Sequence, residues 1–314
     1  MTDQRLSSAG TDRPGDHTAA HIEPVDDFGT PAIGEGAAAP RTLGLVFWLA
    51  VSWVVLIVLA ALFAPWLPID EVEQKTIIQG KAPPYPPSSE FWFGSDTLAR
   101  DVFSRTLWGA RVSLVVGFAA IAAGMLIGGT LGILGGYFRG TSDKFVSFMF
   151  LVLLSFPSLV LAILITSLMN RSLITISVTL GILAIAPVGR LARATTIQFA
   201  EREFVIASRT LGASHLRIII RELLPNVVIP MGALALLGMA VAIVAEGSLA
   251  FLGLSVESGP TWGKVILDGS GSRDLESAPW ISLAPITLLF LTVVSLNYAG
   301  DRLRAHYDVK ETAL

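Results

Sequence analysis

From Leu43 to Pro65 the chain runs for 23 residues without a charged side chain, and this stretch restricts the fold more than any other feature. Wound as a helix it reaches about 34 Å, enough for a hydrocarbon core of about 30 Å. Lipid offers no partner to backbone N–H and C=O groups, so a segment immersed in it must satisfy them within itself. The run is longer than the apolar part of a signal peptide and starts too far along the chain for one, so an uncleaved span is expected.

Five further apolar runs follow: Val112 to Phe138, Phe145 to Asn170, Ser172 to Gly189, about Asn226 to Leu254, and Ser277 to Gly300. Only 15% of the residues are charged, against about 25% in soluble domains, and those charges gather between the runs. The predicted fold is an all-α integral membrane protein with six transmembrane helices. Residues 1–42 read as a disordered cytoplasmic tail. Residues 43–111 hold the first span and an extracytoplasmic segment, and residues 112–304 form a five-helix core with a loop at 190–225. Residues 305–314 read as a cytoplasmic C-tail. With both termini inside, the inner segments carry 14 of the 22 Lys and Arg residues, the bias of a cytoplasmic face.

Several chemistries are excluded. The chain has no cysteine, which removes disulfides, thiolate metal sites and cysteine nucleophiles. Its four histidines lack metal-binding spacing, and a net charge of -3 leaves no basic stripe for nucleic acid. Gly259 to Lys264 is one residue short of a phosphate loop and lacks its Ser or Thr. No catalytic residue or metal site is assigned.

Local features refine the spans. Gly124, Gly128, Gly132 and Gly136 recur every four residues, so one stripe of the second span lets another helix approach backbone to backbone. Pro157 predicts a kink in the third span. Phe93 to Arg111 reads as a helix on the membrane surface, capped by Ser95 or Asp96. Glu246 is the one ionisable residue inside its apolar run and falls near the outer boundary. A cap or helix–helix hydrogen bond suits it better than substrate contact, and Asn297 in the last span is a second candidate for a structural or pathway role.

Residues 190–225 combine apolar and charged positions on the positive side of the membrane. One helical stretch presents Phe199, Glu203, Phe204, Ile206 and Arg209. A second presents Leu216, Ile219 and Leu223. They meet at Leu211, Gly212 and Ala213, where Gly212 can close a helix in the left-handed region, and Pro225 is expected to end the second. From these residues alone, a surface helix pair held by lipid headgroups and a docking element for another chain are equally good readings.

Ala207, Gly212, Leu224 and Pro225 fall on the register of the E-A-A-x-x-x-G…I-x-L-P coupling loop of ABC importer permeases, although Ile206 stands at the usual Glu and Ser208 at the second Ala. FGSDTLARDVFSRTLWGARVSL, with Ala99 at a usual Gly, EGSLAFLGLS, and APWISLAPITLLFLTVVSLNYAGDRLR complete the likeness. In this order the motifs resemble the C-type permease subunit of the oligopeptide, dipeptide and nickel branch of binding-protein-dependent ABC importers. That resemblance implies a type I importer permease in the bacterial inner membrane. It also implies a second permease, one or two ATPase subunits that hold ATP and Mg, and an extracytoplasmic binding protein. The cargo is expected to be an oligopeptide or dipeptide, with nickel or glutathione as alternatives. A secondary transporter is the rival from another class, and it would be expected to carry charges or broken helices at mid-membrane.

Overall fold

The computed structural model describes residues 43–67 and 74–312, without the side chains of 308–312, so the expected tail at 1–42 lies outside the described residues. Ten helices are followed here: α1 Gly44–Phe63, α2 Val102–Phe138, α3 Gly140–Ser155, α4 Ser158–Leu168, α5 Leu173–Ala200, α6 Glu203–Thr210, α7 His215–Phe251, α8 Trp262–Asp268, α9 Ser272–Ser277 and α10 Trp280–Thr312. Among the described residues there is no β-strand. Among the described residues, five helices are long and apolar enough to cross a membrane, and α3 with α4 makes a sixth if that bent pair is one span. The protein is an all-helical, multi-pass membrane protein.

Four boundaries differ from the sequence-based expectation, each for a local reason. No separate surface helix precedes the second span. Asp101, rather than Ser95 or Asp96, caps α2, accepting from the Ser104 amide at 2.7 Å. From there α2 continues unbroken for 37 residues. Arg105, inside the stretch read as a surface helix, is buried and neutralised by Asp96 at 2.8 Å and Asp268 at 2.9 Å. Asp96 itself closes a tight turn, accepting from the amides of Leu98 and Arg100, each at 2.9 Å. Ala99 in that turn has φ +60°, a region that favours glycine.

The kink expected at Pro157 is an 80° break. Proline disfavours helical backbone in the residue before it, and Phe156 is extended at φ -89°, ψ 133°. The fourth span, expected to stop at Gly189, carries on through Pro187 to Ala200. Pro225 does not end a helix either. The turns over Ile219–Leu223 widen to π type, and a change of register of this kind lets a helix accommodate a residue without an N–H. Likewise α10 continues to Thr312, so the residues expected to form the C-tail are helical as far as that residue.

Among the described residues, the three largest apolar clusters join the long helices. One joins Tyr137 of α2, Ala192 and Phe199 of α5, Val205 of α6, and Leu223 and Val227 of α7. A second packs Ile57, Leu114, Ile243, Trp262 and Leu296, so that α8 is inserted against α1, α2, α7 and α10. The third joins Val116, Ile176, Leu180 and Leu249. Lipid is as apolar as leucine, so close packing is what draws these helices together.

Candidate functional site

The loop between α5 and α7 is shorter than the sequence suggested, because helices enter it from both sides. Residues 190–200 belong to α5, and Phe199 with them. What projects is α6 and the turn behind it. Arg202, extended at φ -70°, ψ 150°, breaks the chain away from α5. Glu203 in the first turn of α6 and Arg209 in its last complement the helix dipole. Gly212 has φ +81°. The Gly212 amide donates to Arg209 O at 3.1 Å and the Ala213 amide to Ser208 O at 3.0 Å, closing α6 in a Schellman motif. Leu211 donates to Ala207 O at 2.9 Å.

α6 has two sides. Val205 is fully buried in the cluster beneath it, as are Ile218 and Leu223 of α7. Ile206 is 53% exposed, Leu211 87% and Leu216 67%. They stand beside exposed Glu201, Arg202, Glu203 and Arg209, so this apolar surface belongs to a charged neighbourhood rather than to the lipid-facing flank. Leu224 is partly exposed and Pro225 sits in the first turn after the π segment. Grouped exposed apolar side chains rimmed by charge are what a surface in contact with another protein or with the membrane presents.

The glycine stripe lies against α5. A Cβ at Gly124 would fall 2.7 Å from Ala184 Cβ, and one at Gly136 would fall 2.8 Å from Arg193 O. At Gly128 and Gly132 it would run into the carbonyls of Ile185 and Gly189. The two backbones touch over three helical turns, and no side chain fits between them.

Glu246 and Asn297 are not brought to the loop. About 31 residues of one helix, roughly 46 Å, separate Glu246 from His215. Glu246 is fully buried and accepts from Ser255 Oγ at 2.6 Å and Ser113 Oγ at 3.2 Å. Thr261, 3.4 Å from Ser255, caps α8 through the Lys264 amide. The Lys264 ammonium donates to the carbonyls of Glu257 and Gly259, each at 3.1 Å. Burial holds its pKa below the usual lysine value, against the attraction of Glu246 and Asp268. Asn297 donates to Val293 O at 2.8 Å, within its own helix.

Sequence reasoning passed over the polar contacts at the α2–α3 corner. Tyr137 meets His215 at 2.8 Å, Arg139 meets Glu201 at 2.7 Å, and Arg193 forks onto Asp143, Nη2 to Oδ2 at 2.7 Å. The available signal was the charge at each span end, since a charge beside lipid needs a partner.

Residues 128–309 match the family described as binding-protein-dependent transport system inner membrane component. Over 257 residues the chain is 37% identical to the dipeptide transport system permease protein DppC of Alkalihalophilus pseudofirmus, which covers 81% of this chain and 82% of that protein. It is 35% identical over 225 residues to the glutathione transport system permease protein GsiD of Pectobacterium atrosepticum, covering 71% and 74%. A chain of the MetNI methionine ABC transporter, solved in inward-facing conformations, superposes with a TM-score of 0.51 and 18% identity, covering 65% of this chain and 97% of that one. The last likeness is one of fold.

Proposed function

Because this chain belongs to the family of binding-protein-dependent transport system inner membrane components, we propose that it is one of two permease subunits in an ATP-driven importer of dipeptides or oligopeptides. It is a transport subunit and not an enzyme. ATP and Mg are held by one or two partner ATPase chains, and an extracytoplasmic binding protein delivers the cargo. Both termini lie in the cytoplasm of a bacterium whose inner membrane the chain spans. In that topology α3 and α4 count as one crossing, α6 faces the ATPase, and α8 and α9 face outward. The dipeptide permease likeness supports peptide cargo. The glutathione permease likeness fits the same class, glutathione being itself a small peptide.

The observation that carries this reading is the charged-rimmed apolar face of α6, with Ile206 and Leu211 exposed while Val205 is buried beneath them. Both flanking helices run from the loop into long apolar segments, α5 over 28 residues and α7 over 37. A displacement of α6 by a closing ATPase therefore reaches two spans as rigid levers. The broken α3–α4 pair is a feature that a secondary transporter would share, and it is the family match that weighs against that reading. Copurification with its ATPase partner, followed by uptake of a dipeptide into liposomes driven by ATP, tests the reading. ATP-independent uptake driven by an ion gradient would overturn it.

A further inference from the structure

Tyr137, in the last turn of α2, touches both helices that flank Gly212. Its hydroxyl lies 2.8 Å from Nδ1 of His215, the first residue of α7. Its ring carries the Arg209 guanidinium of α6 at 5.4 Å. The His215 ring also stands edge-on to Tyr137 at 5.7 Å and to Phe138 at 5.8 Å. Tyr137 is buried at 6% exposure, so water competes weakly for its hydroxyl. A few residues on, Arg139 has φ +55° and pairs with Glu201 at the start of the loop.

The anchoring of α6 by Val205 is apolar, and apolar burial is non-directional. An α6 held only in that way can slide over its cluster when pushed. A hydrogen bond sets distance and angle, and the bond to Tyr137 sets them between the turn behind α6 and the end of the second span. We propose that the Tyr137–His215 bond is the tie through which movement of α6 reaches α2. Tyr137 and His215 are then positioning residues for energy coupling. The inference rests on the coupling role given to α6 above. Its consequence is specific. With the tie, a push on α6 moves α2 together with α5 and α7. Without it, α2 is driven only through its glycine seam with α5, and its inner end follows α6 less closely, so ATP is hydrolysed with less transport.

The test uses the full chain with its partner subunits in liposomes, reading dipeptide uptake per ATP hydrolysed. Tyr137→Phe keeps the ring and its cation contact and removes only the hydroxyl. Uptake per ATP should fall about three- to tenfold, the scale set by one hydrogen bond, with the yield of assembled complex unchanged. His215→Leu should behave alike, and the double variant should be no worse than either alone. His215→Asn places an amide where Nδ1 stands, able to serve in either hydrogen-bonding role, and should bring the ratio back towards that of the unaltered chain. Amides of residues 203–214 should exchange faster in Tyr137→Phe by a similar factor, a readout that needs no ATPase. An unchanged ratio in Tyr137→Phe overturns the tie, as does a fall matched by loss of complex. Failure of the unaltered chain to stimulate hydrolysis is a separate result, and it overturns the coupling role of α6 itself.

Discussion

Ser113 of α2 and Glu246 of α7 meet in a hydrogen bond of 3.2 Å, and both are fully buried. Ser255 reaches the same carboxylate at 2.6 Å, and the Trp262 amide donates to Ser113 at 3.2 Å. One carboxyl group thus joins α2, α7 and the segment leading to α8. Glu246→Leu removes the acceptor and strands buried hydroxyls, a change of about 1–3 kcal/mol. Glu246→Gln keeps an acceptor and should cost about 1 kcal/mol or less. Thermal unfolding of the purified chain in mild detergent should rank them wild type, Gln, Leu. Equal loss in both would assign the site to charge and not to hydrogen bonding.

At the glycine stripe, Gly128→Leu should force α2 from α5, because the space is occupied by Ile185 backbone. Overpacking of this kind costs about 1–3 kcal/mol or more. Thr130→Leu adds bulk two residues away on an exposed face and should be tolerated. The yield of monodisperse protein separates the two, and similar yields would mean that the stripe is not a contact.

Much of this architecture was legible in the sequence. Uncharged runs locate spans because lipid penalises every interruption, and the Gly124–Gly136 spacing and Gly212 are local signals that need no partner to be read. What could not be read depends on residues far apart in the chain. Phe93 to Arg111 read as a surface helix because the ion pair of Arg105 with Asp268 joins distant parts of the chain. Pro225 looked like a helix end because a proline's cost is visible in sequence, whereas the π turn that absorbs it is not. Tyr137 and His215, 78 positions apart, leave no periodic trace.

Sidedness can be read chemically, since the chain has no cysteine of its own. Asp268 is a poor reporter because it pairs with Arg100 and Arg105. Exposed Glu276 in α9 serves better, against Leu211 at the tip of the loop. An impermeant thiol reagent should label Glu276→Cys in intact cells and Leu211→Cys only after the membrane is opened. The opposite pattern would invert the topology and place α6 away from any ATPase.

Gly212 offers the most direct test of the coupling role. Its φ is +81°, and a Cβ there would meet nothing within 4 Å. Gly212→Val therefore acts within the chain through backbone preference, at about 1–2 kcal/mol, comparable with coupling energies of about 1–3 kcal/mol. The measurement is substrate-stimulated ATP hydrolysis together with dipeptide uptake, in liposomes holding the variant and its partner subunits. The expected result is a chain that inserts and folds normally while stimulation and uptake both fall. Normal stimulation with normal uptake would contradict the account, because the turn behind α6 would then have no part in passing ATPase movement to the membrane helices.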